Sequence, residues 1–279
     1  MDRRTNQEDT VRIALAQIDP ASEVAENLAV IRRHVTNAAA RGADLILFPE
    51  ETMLGVESGI RDRFAQIVAE EWASFVASLQ ELAHQERIAI VCGAYEPSTD
   101  GRPYNTLVAV DRDGTLLATY RKLHLYDAFS YRESDRIRPG DLGPSTIEVK
   151  GMRIGLSTCY DLRFPELYRK LVDDGARLIL VPAAWFSGPD KLRQWEMLLG
   201  ARALENTVWV AAADTSNDHT VGRSQVRDPY GALVAGVEEG ERLLITEIDD
   251  ARVDEVRETV PSLANRRYRV ELDEQAPAD

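Results

Sequence analysis

The sequence predicts one α/β domain: two sheets with helices outside, built from two similar halves. Three observations predict it. Short apolar runs alternate with amphipathic helical segments. Several of those runs are continuously apolar, as in strands covered on both faces. Two hairpin-like stretches recur, one in each half.

In chain order, Val11–Gln17 reads as a strand, and Val24, Leu28, Ile31 and Val35 follow at helical spacing. Asp44–Phe48 is a buried-type strand. Phe64, Ile67, Val68, Trp72, Phe75, Val76, Leu79 and Leu82 form one face of a long helix. Ile88–Cys92 is another buried-type strand. The second half repeats this: strand at Arg153–Thr158, helix at Pro165–Asp173, strand at Leu178–Val181, helix over Asp190–Glu205, strand at Thr207–Ala213. Asn105–Lys122 and Arg223–Leu233 each read strand, turn, strand, with Gly114 and Gly231 supplying the turns. Residues 1–10 are expected to be disordered or extended, 11–249 to be the domain, and 250–279 to be a charged tail. That tail is read as an arm on a partner subunit or a frayed end.

The 279 residues carry a formal charge of −14. That field repels phosphate backbones and anionic lipid, so neither nucleic acid nor membrane is expected as a partner. The N-terminus lacks a secretory h-region, and two cysteines are too few for a disulfide framework. The expected setting is the cytoplasm. HExxH, CxxC, EF-hand, GxGxxG and Walker A patterns are absent, which argues against metal and nucleotide chemistry.

Four residues could carry chemistry. Cys159 lies between an apolar strand and a helix, where a turn projects a nucleophile and backbone N–H groups can face an oxyanion. A thiol there is more often packing, as Cys92 in IAIVCGAYE is read to be. Cys159 needs a base, and no histidine stands in a protease-like signature. A buried carboxylate can serve instead. Glu50 ends DLILFPE, at the same kind of sheet edge. Lys122, in TYRKLHLYD, can stabilise an oxyanion and a thiolate. Glu133 lies in a polar loop, SYRESDRIRPGD, and read alone it is a surface acid.

Together, LILFPE, YRKLHL and STCYDLRFPE, in that order, resemble the motifs of the nitrilase superfamily of carbon–nitrogen hydrolases. The likeness spans roughly residues 11–249. It implies a four-layer α-β-β-α sandwich, no cofactor or metal, and a homodimer or larger homo-oligomer. It implies Glu50 as general base and acid, Cys159 as the thioester-forming nucleophile, and Lys122 with the Tyr160 backbone N–H as the oxyanion hole. Glu133 would position Lys122. CYDLRFPE resembles the amidase branch containing ω-amidase and deaminated-glutathione amidase. Arg163 and Trp185 are assigned to substrate binding, Arg163 as a bidentate holder of a carboxylate. The alternative for Arg163 is an ion pair with Asp161 or Glu166. The chain departs from that branch at Ser187–Arg193, which is longer, at Val221–Ser224 and at Glu51, a second acid beside the base. The expected substrate is a small amide bearing a carboxylate. An N-carbamoyl substrate and a non-catalytic binding module are the alternatives.

Overall fold

A computed structural model describes residues 10–55, 60–129, 131–141 and 143–271. The first sheet is built from β1 (Thr10–Gln17), β2 (Leu45–Leu47), β3 (Ala89–Glu96), β4 (Tyr104–Val110) and β5 (Leu116–Arg121). Helices α1 (Val24–Ala40) and α2 (Phe64–Glu86) connect its first three strands. A small hairpin, β6 (Asp127–Ala128) with β7 (Tyr131–Arg132), leads to the second sheet. That sheet takes β8 (Ser145–Val149), β9 (Met152–Leu156), β10 (Leu178–Ala183), β11 (Trp209–Asp214), β12 (Gln225–Arg227) and β13 (Leu233–Gly236). Here α3 (Pro165–Asp173) and α4 (Lys191–Asn206) make the crossovers. Finally β14 (Arg242–Asp249) returns to pair antiparallel with β1, and α5 (Ala251–Thr259) follows it.

The strand orders show the internal symmetry. The first sheet runs β14-β1-β2-β3-β4-β5 and the second β8-β9-β10-β11-β12-β13. In each, three central strands are parallel, two hairpin strands continue antiparallel, and one antiparallel strand closes the far edge. β2 and β10 are therefore counterparts.

Side-chain alternation along the strands produces the layers. In β1, Ala14 and Ala16 face α1 and α2, while Val11, Ile13 and Leu15 face the other sheet. In β10, Leu178 and Leu180 face the first sheet, while Ile179, Val181 and Ala183 face α3 and α4. Three apolar layers thus separate four layers of structure, as expected for an α-β-β-α sandwich.

One expectation needs amending. Residues 251–259 form a docked helix, not an extended arm: Val253 and Val256 are buried, and Arg177 pairs with Asp250 and Asp254. The expectation for residues 1–10 lies outside the described residues, except for Thr10, which opens β1. No described helix is long and apolar enough to cross a membrane.

Candidate active site

Glu50 leaves the end of β2 in a backbone turn that crosses β3 closely. A Cβ on Gly93 would lie 2.0 Å from the Glu50 carbonyl oxygen, so only glycine fits there. The turn is pinned by Gly93 N–H donating to the Pro49 carbonyl at 3.1 Å. It leaves the Glu50 side chain 4% exposed. Oε1 accepts from Lys122 Nζ and from Asn105 Nδ2, both at 2.8 Å. Oε2 accepts the Ala184 backbone N–H at 2.8 Å. Ala184 follows β10, the counterpart strand, so the carboxylate is clamped between the two sheets.

Lys122 directly follows β5 and is 2% exposed. Besides Glu50, its Nζ donates to Glu133 Oε2 at 2.8 Å. Glu133 Oε2 also accepts the Tyr126 N–H at 2.7 Å, and Asn105 Nδ2 reaches Glu133 Oε1 at 3.1 Å. Burial would lower the Lys122 pKa. The charges of Glu133 and Glu50 outweigh that and hold it well above its ordinary value. The lysine is a fixed cation.

Cys159 starts a 3₁₀ turn, Cys159–Arg163, just past β9. Its φ of +45° places a non-glycine residue in the left-handed region, a strain that surrounding structure must hold. Asp161 supplies the hold. Fully buried, it accepts the Thr158 N–H at 2.9 Å, the Tyr120 hydroxyl at 2.7 Å and the His124 N–H at 3.0 Å. His124 Nδ1 also lies 2.7 Å from it. One carboxylate thereby ties the cysteine turn to residues on both sides of Lys122.

Burial, then the charge of Glu50, pushes the Cys159 thiol well above its ordinary pKa, although Lys122 opposes this. Glu50 thus favours the protonated thiol, and Lys122 the thiolate. Tyr160 follows in the first turn, where backbone N–H groups have no acceptor inside the helix.

The sequence of this chain matches the family model for carbon-nitrogen hydrolase over residues 12–258. The chain belongs to the carbon–nitrogen hydrolase family. It is 39% identical to a hydrolase of Mycobacterium tuberculosis, covering 94% of this chain and 98% of that one. It is 35% identical to the deaminated glutathione amidase of Escherichia coli O157:H7, covering 92% and 97%. Among solved structures, the NitFhit protein of C. elegans matches with a TM-score of 0.85 at 30% identity, over 93% of this chain and 65% of that one. An amidase mutant from Nesterenkonia sp. AN1, with the acetamide moiety of fluoroacetamide on its active-site cysteine, matches with a TM-score of 0.81 at 28% identity. That match covers 94% of this chain and 96% of the amidase.

In this carbon–nitrogen hydrolase, Glu50, Lys122, Glu133 and Cys159 meet in one recess, as the motifs predict. Arg163 and Trp185 line it too. The ion-pair alternative for Arg163 is not realised. Its guanidinium donates to Gln194 Oε1 at 2.7 Å and lies over the Trp185 ring at 5.0 Å, while Asp161 is occupied as described. Glu51 lines the recess; Arg223, in the divergent Val221–Ser224 segment, does not. No group of three metal-type ligands occurs among the described residues.

Sequence reasoning missed Asn105, the Ala184 N–H, Asp214 and Lys191. Asn105 carried a signal: it is a polar side chain in a strand buried along its whole length. The Ala184 N–H carried none, because every residue but proline has one. Asp214 Oδ1 accepts the Trp185 N–H at 2.8 Å, fixing the peptide next to the one that holds Glu50. Lys191 sat in the unusual loop, but nothing local distinguished it from a surface lysine.

Proposed function

We propose that this enzyme hydrolyses a small linear amide bearing a carboxylate, through a thioester on Cys159, releasing ammonia and a carboxylic acid. The observation that carries this reading is a buried thiol at positive φ that shares one recess with Glu50 and with a Lys122 ammonium held between two carboxylates. Glu50 takes the thiol proton as sulfur bonds to the carbonyl carbon. The carbonyl electron pair moves onto oxygen, and Lys122 with the Tyr160 N–H stabilises that charge. The oxyanion collapses, Glu50 returns the proton to the leaving nitrogen, and the C–N bond breaks. Water then gives a proton to Glu50 as its oxygen attacks the thioester carbon. Collapse of this second oxyanion expels the Cys159 sulfur, which recovers the proton.

Glu133 holds Lys122 in place through the 2.8 Å bond and is the positioning residue of the set. Arg163 supports the carboxylate requirement: it has no carboxylate partner among the described residues, and its Nε is buried without an acceptor. The printed names of the E. coli relative and of the mouse ω-amidase, 31% identical over 92% of this chain, agree with amide substrates. The test is ammonia release from a series of ω-amides such as glutaramate. Activity in the wild type, with Cys159→Ala at background, is expected. Equal inactivity of both on every amide would sink the reading.

The same proposal includes a homodimer or larger homo-oligomer in the reducing cytoplasm. Supporting it are exposed Met197, Leu204, Leu233 and Val234, and two unpaired cysteines. Light scattering on the eluting protein should give at least twice the mass of one chain.

A further inference from the structure

Three cations that line the recess, Arg136, Arg163 and Lys191, pair with no carboxylate among the described residues, and of these Arg163 and Lys191 act on each other electrostatically. Elsewhere several buried cations are matched, although the part-buried Arg169, Arg227 and Arg257 have no carboxylate within ion-pair distance among the described residues. Lys122 has two carboxylates, buried Arg202 has Glu205 at 2.9 Å, and Arg177 has Asp250 and Asp254. Lys191 is 8% exposed, at the start of α4. Its Nζ donates to the Tyr126 hydroxyl at 3.1 Å and sits 3.8 Å from the centre of the Phe129 ring. Both partners are neutral. Burial, and then the nearby charge of Arg163, lower its pKa. In a protein of net charge −14, two mutually repelling, half-desolvated cations in one recess are an unfavourable arrangement that a bound anion relieves.

We propose that Lys191 is a specificity-determining residue: with Arg163 it forms an anion subsite that selects carboxylate-bearing amides over neutral ones. The inference rests on the amidase reading above and adds a second residue to the recognition of charge. Arg163 is placed by the turn that carries Cys159, four residues on. Lys191 comes from the lengthened Ser187–Arg193 loop, so the two approach from separate elements. The Tyr126 and Phe129 rings shield the ammonium from water, which strengthens its attraction for an anion in the recess. Were Lys191 only a prop for those rings, its loss would affect charged and neutral substrates alike.

The experiment compares kcat/KM for glutaramate and for pentanamide, amides of equal length with and without a carboxylate. The full-length enzyme, Lys191→Gln and Lys191→Arg are each assayed, with thermal unfolding to establish folding. The wild type should prefer glutaramate. Lys191→Gln should cut the glutaramate-to-pentanamide ratio roughly tenfold or more, and Lys191→Arg should restore most of it. A ratio unchanged in Lys191→Gln overturns the inference, whatever the absolute rates. If Lys191→Gln does not fold, Lys191→Arg decides at raised salt: a ratio insensitive to salt overturns the inference, and a falling one supports it. A wild type that releases ammonia but ignores charge overturns the carboxylate requirement and this subsite together. A wild type that releases none overturns the amidase reading itself.

Discussion

Cys92 and Cys159 are both buried thiols, one within a parallel strand and one just past the end of another, yet only Cys159 lines the recess. Cys92 continues β3 and is packed in the apolar layer under α1 and α2. Burial pushes its pKa far up, and no carboxylate among the described residues acts on it. Cys159 is pushed up by burial too, but Glu50 and Lys122 share its site. Burial by itself makes a thiol inert. Reactivity requires a base and a cation, and here both arrive from the opposite sheet.

The largest effect should come from Cys159→Ala, which removes the covalent step. A drop in kcat of at least about 10³-fold is expected, against a change of about twofold or less for Cys92→Ala. Glu50→Gln keeps the shape but cannot accept a proton. Its kcat should fall by about 10³-fold, and iodoacetamide should then modify Cys159 as sluggishly as Cys92. Rapid labelling of Cys92 in the wild type would break the comparison.

Asn105→Leu leaves both glutamates one donor short. A stability loss of about 1–3 kcal/mol is expected, with kcat reduced roughly tenfold, read by denaturant unfolding and steady-state kinetics. The pH dependence of stability follows from groups whose folded pKa lies above the unfolded value: both thiols, Lys122 and Tyr120. The folded state then holds more protons, so stability is lost as pH rises. The thiols act first, from about pH 8.5, and Lys122 and Tyr120 from about pH 10. Thermal midpoints should fall through that range, and less steeply in Cys92→Ala. That substitution itself should cost only about 1 kcal/mol, the smallest effect, because it removes a single buried atom.

Much of this arrangement was legible. The continuous apolar runs at residues 44–48 and 178–181 became β2 and β10, because strands covered on both faces tolerate little else. Glu50, Lys122 and Cys159 could be read because each stands just past a strand, where the backbone carries a side chain to a sheet edge. The helix α5 was less legible. Only Val253 and Val256 mark its buried face, and its docking depends on ion pairs with Arg177, more than 70 residues away. Lys191 was illegible for a related reason: its role depends on which rings and which arginine surround it.

The order of residue types along the chain thus set the two-sheet architecture, because that property is local to strands and their ends. The joint motifs, through their resemblance to a known family, pointed to Cys159, Glu50 and Lys122 as the proposed nucleophile, base and cation. Three features came only from folding: the clamping of Glu50 by the Ala184 N–H, the bracing of a strained cysteine by Asp161, and the meeting of Arg163 with Lys191. Each joins groups 3 to 134 residues apart, and even the shortest, Asp161 on Thr158, is held in place by Tyr120 of the other sheet and by His124 just beyond it. Such contacts carry no periodic signature. They exist because packing two sheets face to face brings the ends of β2, β5, β9 and β10 to one point.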